Sequence, residues 1–396
     1  MSNTTIPLIA IACGGTGGHL FPGLAVGQEF LHRGCDVTLM ISPKEVDQQG
    51  VKSAVGMTIA TLPAVAFRRS HPFEFCAGFW KSFLAARRLF RPHPPQAVLA
   101  MGGFVSAPPI LAAKTCGAAT FLHESNTVPG KANRWLTPIV DQIFVGFPSA
   151  ASRLDNQKAV TTGTPVRPQF QHADAFASRM ALGLHPKRPV LLVMGGSQGA
   201  SGINDLVLQT LPALAHSAPD LQFLHLTGLH DLEKVRSAYT VGKRKAIVLP
   251  FLTEMELALG AASVAISRAG ASSLAELAAM RVPSILIPYP AAADNHQFYN
   301  ARAFADAGAA VLLDQEEATG EKLAALILKL LQDPAADAAM RDELVRWHSP
   351  HAAEQIADKI VGRLKATGHW RSDNNDSQSR VRSSIGAASA GQSAIL

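Results

Sequence analysis

Residues 8–19 read Leu8-Ile-Ala-Ile-Ala-Cys-Gly-Gly-Thr-Gly-Gly-His19. Six apolar residues, from Leu8 to Cys13, describe a strand buried on both faces, the kind found in parallel sheets. Gly14, Gly15, Thr16, Gly17 and Gly18 follow at once, then His19 and a helical pattern over 20–30 with Gly34 as its stop. A strand ending in glycines at the start of a helix brings main-chain N–H groups up against a phosphate. The stretch is not a dinucleotide fingerprint, because Leu20 stands where the third glycine belongs. It is not a Walker A loop, because no Lys-Ser/Thr follows. The plainer reading is a tight turn that needs glycine dihedrals. One glycine suffices for that, and four leave the backbone uncovered for a ligand.

The same event recurs later. An apolar run at 189–194 is followed by Gly195-Gly-Ser-Gln-Gly-Ala200 and a helical pattern over 202–215. Around the first event, strands are expected at 37–41, 58–66, 97–101, 119–122 and 143–145. Around the second they are expected at 221–226, 246–249, 264–267 and 284–287, with a loop over 288–297. Leu323, Leu326, Ile327 and Leu330 share one helix face, and Ile356, Ile360 and Leu364 mark a last helix. Residues 161–170, with Gly163, Pro165 and Pro168, read as the interdomain linker. The expected fold class is α/β: two doubly wound Rossmann-like domains facing each other across a cleft. The expected units are 1–165, 166–345, a C-terminal helix over 346–366 able to return to the N-domain, and a disordered tail over 367–396, rich in Ser, Asn, Gly, Ala and Gln.

The chain has 396 residues, 47% hydrophobic, with a formal charge of +6. That size allows two ordinary domains, and the charge favours an anionic partner. The four cysteines form no CxxC pair and read as reduced thiols. No basic residue precedes the first apolar run, so no signal peptide is expected, and no apolar stretch reaches the ~18 residues of a membrane span. The segment 67–91 differs from the rest. Phe75, Phe79 and Phe83 lie four apart, beside Trp80 and Leu84. Arg68, Arg69, Lys81, Arg87, Arg88 and Arg91 face only Glu74, a net +5. One reading is a core-facing helix with a solvated basic face. The other is an interfacial helix, aromatics toward acyl chains and arginines toward anionic headgroups.

Several residues can carry chemistry. His19 sits in the first turn of its helix, where the dipole disfavours the imidazolium and suits a neutral base; it can equally cap its own loop. Glu124, ending a strand in the same layer, is a rival base. Gly195-Gly-Ser197-Gln-Gly199 formally matches a nucleophile elbow, with Asp294 and His296 downstream. A triad takes those partners from separate turns, so Ser197 fits better as a hydroxyl donor to phosphate. In Ser267-Arg-Ala-Gly-Ala-Ser-Ser-Leu-Ala-Glu276, small residues at Ala271 and Ser272 expose a helix N-terminus that attracts an anion. Glu276, one turn on, is placed to accept from vicinal ribose hydroxyls, or is simply a solvated helix residue. Asp294-Asn-His-Gln297 offers donors and acceptors for a polyhydroxylated ligand such as a sugar. No Asp-x-Asp pair occurs, so no metal site is indicated.

These motifs in combination closely resemble the MurG family of bacterial cell-wall glycosyltransferases, family 28, of the GT-B fold. They are Gly14-Gly-Thr-Gly-Gly-His19, Met101-Gly-Gly-Phe-Val-Ser106, His123-Glu-Ser-Asn126, Gly195-Gly-Ser-Gln-Gly-Ala200, Ser267-Arg-Ala-Gly-Ala271 and Asp294-Asn-His-Gln297, and the resemblance covers about residues 7–365. It implies transfer of N-acetylglucosamine (GlcNAc) from UDP-GlcNAc to the N-acetylmuramyl sugar of lipid I, giving lipid II with inversion and without a cofactor. By resemblance, Thr16, Gly17, Asn126, Arg167, Ser197, Leu252, Ala271, Glu276 and Gln297 bind the donor, with Gly18 and Ser272 beside them. Leu252 would act through its backbone on uracil, Glu276 on the ribose and Gln297 on the sugar. His19 and Glu124 would lie on the acceptor side as catalytic candidates. Phe104 departs from the Tyr of many members, which removes any acceptor contact through that hydroxyl. The partners implied are UDP-GlcNAc, lipid I and an anionic membrane surface, not nucleic acid. The expected location is peripheral, on the cytoplasmic face of the inner membrane. Other UDP-sugar GT-B enzymes, a serine hydrolase through Ser197 and a non-catalytic nucleotide-sugar binder are the rival readings.

Overall fold

The computed structural model describes residues 6–63, 72–155, 157–171, 174–196, 199–368 and 370. Two parallel sheets carry the architecture. The first joins β1 (Leu8–Ala12), β2 (Asp36–Ile41), β3 (Thr58–Thr61), β4 (Ala97–Ala100), β5 (Ala119–Glu124), β6 (Gln142–Val145) and β7 (Ala159–Thr161). Its spatial order is β3-β2-β1-β4-β5-β6-β7. The second joins β8 (Val190–Met194), β9 (Gln222–Leu226), β10 (Ala246–Leu249), β11 (Val264–Ser267), β12 (Ser284–Leu286) and β13 (Val311–Leu312), in the order β10-β9-β8-β11-β12-β13. Every pairing is parallel. The strand order reverses beside β1 in one sheet and beside β8 in the other. Those reversal points are where open α/β sheets hold ligands, and both are the strands that end in glycines.

The central strands are apolar on both faces because helices cover both. Ile9 and Ile11 point into one layer with Leu24 and Phe30, while Ala10 and Ala12 face another with Phe90 and Ile110. The second domain has one core, from Leu191 and Phe223 to Leu323 and Leu344. The last helix, Ala352–Ala366, does not stay with that domain. Its Ile356, Ile360 and Leu364 are buried with Ile9 and Leu24 of the first. Trp370, within the stretch expected to be a disordered tail, packs against the same core. Residues 369 and 371–396 lie outside the described residues.

Several expectations are corrected. The first helix spans Gly17–His32, so it begins in the glycines rather than after them, and Pro22 lies within it. The run 288–297 is not all loop. A 3₁₀ turn at Ala293–Asn295 leads straight into the helix His296–Asp306, with Asp294 and Asn295 in the left-handed region. The third strand stops at Thr61, and residues 64–71, including Arg68 and Arg69, lie outside the described residues. The stripe of Phe79 and Phe83 is the inward face of the helix Pro72–Phe90 and packs on the core. The exposed aromatics there are instead Phe73, 88% exposed, and Trp80, 59% exposed.

Candidate active site

A cavity of about 510 Å³ lies between the carboxyl ends of the two sheets. Thr16, Gly17, Gly18, His19, Glu124 and Asn126 form its N-domain wall. Ala271, Ser272, Glu276 and Gln297 form the opposite wall, with Gly195, Gly196, Phe251 and Arg268. So residues expected from two separated halves of the sequence meet around one space.

The N-domain wall is held rigidly. Gly14 packs so closely on β2 that a Cβ would come within 2.4 Å of the Ser42 nitrogen. That glycine is therefore needed for close approach, and the plain structural reading holds for it. The buried Asp47 carboxylate accepts from Gly15 N (2.7 Å), Ser42 N (3.0 Å) and Ser42 Oγ (2.5 Å). Thr16 caps the helix with extended backbone, and its carbonyl accepts from the nitrogens of His19 and Leu20. Gly17 and Gly18 supply the helix's first turn, where N–H groups have no partner within the helix.

His19 rests on Gly102 and Gly103. A Cβ at Gly102 would stand 2.8 Å from its Cε1 and 3.0 Å from its Nδ1. Burial pushes the imidazole's pKa below its ordinary value, against the opposing pull of Glu124, the Met101 main chain and Asp47. The ring is thus held neutral near pH 7, as a proton acceptor requires. Its Nδ1 is buried without a hydrogen-bond partner.

Glu124, 2% exposed, is differently placed. Oε1 accepts from Asn126 N (2.8 Å) and Asn126 Nδ2 (3.1 Å). Oε2 accepts from Gly130 N (2.9 Å) and Asn133 Nδ2 (2.7 Å). A carboxylate offers about four acceptor directions, and all are taken. The group organises the loop 125–130 and the start of the helix Lys131–Leu136, and its acceptor directions are engaged there.

The opposite wall is the N-terminus of the helix Ala271–Met280. Gly270 caps it with extended backbone and no side-chain cap, and Gly270, Ala271, Ser272 and Ser273 line the cavity, so N–H groups with no partner within the helix lie at its wall. Ser272 Oγ donates to the Gly18 carbonyl across the cleft (3.0 Å). Burial raises the Glu276 carboxyl to about 7, against the pull of Arg167. Arg167, 7% exposed, is not in the cavity wall. Its guanidinium lies over the rings of Phe21 (4.3 Å) and Phe170 (4.9 Å), and 3.8 Å from Glu276. It braces Glu276 through that ion pair. Gln297 Oε1 accepts from Tyr289 N (2.9 Å). The Leu252 side chain packs toward the core while its neighbours Pro250 and Phe251 line the cavity. Ser197 lies outside the described residues. Asp294 is committed to Arg134 (2.7 Å), and His296 Nδ1 meets the Ala293 carbonyl (2.8 Å), so no Asp–His relay forms there.

Among the described residues no group of three or more His, Cys, Asp and Glu is placed to hold a metal ion. The sequence reading missed Asn133, Asn300 and the role of Gly102. A lone Asn carries no pattern, and the Gly102–His19 contact joins residues remote in sequence.

Two family descriptions match the chain. "Glycosyltransferase family 28 N-terminal domain" covers 9–145, and "Glycosyltransferase family 28 C-terminal domain" covers 190–359. A protein of Synechocystis sp. is 37% identical over 359 residues, 88% of this chain and 95% of its own. Its name is UDP-N-acetylglucosamine--N-acetylmuramyl-(pentapeptide) pyrophosphoryl-undecaprenol N-acetylglucosamine transferase. The chain belongs to glycosyltransferase family 28. An Anaeromyxobacter sp. relative of the same name is 36% identical over 88% of this chain and 91% of its own. Among solved structures, Acinetobacter baumannii MurG superposes with a TM-score of 0.68 at 26% identity, covering 90% of this chain and 99% of that one. A UDP-N-acetylglucosamine 2-epimerase superposes at TM-score 0.66 and 13% identity, over 93% of this chain and 98% of its own, which shows the shared fold alone. Family 28 membership thus accounts for both sheets and for the cleft between them.

Proposed function

We propose that this chain transfers GlcNAc from UDP-GlcNAc to the 4-hydroxyl of the N-acetylmuramyl sugar of undecaprenyl-pyrophosphoryl-N-acetylmuramyl-pentapeptide (lipid I), giving lipid II for peptidoglycan synthesis. It is an inverting glycosyltransferase of the GT-B fold. The observation that carries this reading is one cavity with a neutral-held imidazole on one wall and an open helix N-terminus on the other. The first takes a proton and the second takes an anion, which are the two demands of sugar transfer from a nucleotide.

In the mechanism we infer, the nucleotide sits on the second domain. Main-chain N–H groups at Gly270, Ala271 and Ser272 receive the diphosphate, and Glu276 receives the ribose. Gln297 faces the sugar, and the Leu252 backbone faces uracil. The acceptor hydroxyl approaches from the N-domain side and attacks the anomeric carbon opposite the departing UDP. Nδ1 of His19 is buried, so Nε2 takes the hydroxyl proton as the new C–O bond forms. The C–O bond to UDP breaks, and the charge it leaves on the diphosphate meets the helix N-terminus. Glu124 acts by holding Asn126, the loop 125–130 and Asn133 of the helix that follows, not as the base.

The acceptor's lipid tail implies docking on a membrane. No helix of the described residues is long and apolar enough to cross one. We assign the docking face to exposed Phe73 and Trp80, with Trp135 and Phe104 beside them through edge contacts of Phe79–Trp135 and Phe75–Phe104. Exposed Lys81, Arg87, Arg88 and Arg91 supply charge for anionic headgroups. We assign the enzyme to the cytoplasmic face of the cell membrane as a peripheral protein.

Radiolabelled UDP-GlcNAc with a lipid I analogue tests the reading. The expected product is a β-linked disaccharide lipid, with turnover falling ~10²–10⁴-fold in His19→Ala. Absence of transfer to that acceptor, with transfer to another in a panel, would redirect the assignment within UDP-sugar enzymes. Near-normal turnover in His19→Ala would remove His19 from the base role.

A further inference from the structure

Asn300 lies outside the cavity wall and is 0% exposed, in the second domain's helix His296–Asp306. Its carboxamide uses its whole hydrogen-bonding capacity. Oδ1 accepts from Thr127 N (2.9 Å) and Thr127 Oγ1 (3.0 Å). Nδ2 donates to Asn126 Oδ1 (3.0 Å) and to the Ala269 carbonyl (3.1 Å). Three of the four bonds therefore cross to the first domain. The fourth ties the amide to the loop just before the helix Ala271–Met280.

The chain of contacts is continuous. Glu124 holds Asn126 through two bonds, Asn126 meets Asn300, and Asn300 holds the Ala269 carbonyl. Thr127 is itself buried. Among the described residues, the other polar bridges at the cleft are single bonds: Ser272 to Gly18, and the half-exposed Arg134 to Asp294. Asn300 thus makes the densest buried polar contact joining the two walls.

We infer that Asn300 is a positioning residue that fixes the distance between the proton-accepting wall and the donor wall. It touches neither substrate. It acts through Asn126 on one side and the donor-helix loop on the other. Removing it leaves buried partners on Thr127, Asn126 and Ala269 without bonds, so the juxtaposition of the two walls is disfavoured. Nucleotide binding, which we place in the second domain, does not need that juxtaposition, whereas transfer does. The inference rests on the transferase reading above.

The test is an Asn300→Ala enzyme with two measurements, kcat in the lipid I analogue assay and UDP affinity by calorimetry. The expected result is a kcat lowered about 10–100-fold, the range of a sub-ångström to ångström misplacement, with UDP affinity within about threefold of wild type. Thr127→Val probes the same contact from the other domain. It keeps the main-chain bond and loses the hydroxyl one, so kcat should fall a few-fold with UDP affinity unmoved. It also stands in if Asn300→Ala does not fold. A kcat within twofold of wild type in the folded variants overturns the inference. So does a parallel loss of kcat and UDP affinity, which marks a general structural role. Wild-type enzyme that transfers nothing to lipid I sinks the underlying reading instead, so the two failures are distinct.

Discussion

Substituting Gly102 by alanine isolates the support of the imidazole we assign as the base. The added Cβ would stand 2.8 Å from His19 Cε1, and ordinary contact begins at 3.4 Å. The ring must therefore retreat by about 0.6 Å, or the 101–106 turn must move. Gly102 also sits at φ +112°, a conformation that costs a side-chain-bearing residue about 1–3 kcal/mol. Misplacement of a reacting group by ~1 Å can cost ~10² in rate, so a fall in kcat of about tenfold or more is expected. The donor wall lies across the cleft, so UDP affinity should stay within about twofold. The assay is kcat at saturating UDP-GlcNAc and lipid I analogue for Gly102→Ala, His19→Ala and the double variant. If Gly102 acts through the imidazole, the alanine has little left to disturb once His19 is gone. Its further effect on kcat should then be under about twofold. A Gly102→Ala enzyme with kcat within twofold of wild type would refute the argument. The full loss persisting in the His19→Ala background would refute it equally.

Glu276→Gln should change how stability depends on pH. The folded carboxyl titrates at about 7 against an ordinary 4.5. Between those values the unfolded chain is ionised and the folded chain is not, so stability falls as pH rises from about 4.5 to 7 and is flat above. The shift corresponds to about 3 kcal/mol at 1.36 kcal/mol per pH unit. Gln removes that slope, so Tm should gain more at pH 8 than at pH 4.5; parallel Tm–pH profiles would contradict it. Replacing Phe73 and Trp80 by serine should weaken retention on anionic vesicles by about tenfold or more, since each full aromatic burial is worth ~1.5–3 kcal/mol. Unchanged retention would move the docking face elsewhere. EDTA should leave turnover within about twofold, because we assign the departing diphosphate to a helix N-terminus; a strict requirement for added Mg²⁺ would overturn that assignment.

Much of the fold is legible in the sequence because central strands of parallel sheets are continuous apolar runs. β1, β2, β5 and β8 announce themselves that way. The edge strands β7 and β13 do not, being two or three residues long and only half buried. The helix Pro334–Trp347 escapes because only Met340 and Leu344 of it are buried, too few for a visible stripe. At the site, glycine loops and isolated His, Glu and Ser-rich turns carry a local signal, which is why His19, Glu124 and Ala271 can be singled out. Local signal does not tell Glu124's role, because its four donors come from the following loop and from Asn133 of the helix Lys131–Leu136. Nor does it find Asn300, whose partner Thr127 is 173 positions away. The resemblance, not local signal, marks Arg167, and its packing over Phe21 and Phe170 beside Glu276 is visible only in the fold.

The return of the helix Ala352–Ala366 to the first domain has a consequence for synthesis. The first sheet is complete at Thr161, yet the helix whose Ile356, Ile360 and Leu364 cover Ile9 and Leu24 begins at Ala352. As the chain leaves the ribosome, this sheet must wait with part of one face uncovered until the whole second domain has been made. An expressed fragment ending near residue 165 should therefore be sticky and poorly folded, while addition of a peptide spanning 352–366 should restore its solubility. The two lobes have separate sheets but are interlocked in assembly, and the helix Ala352–Ala366 cannot be cut away with the second domain without uncovering the first core.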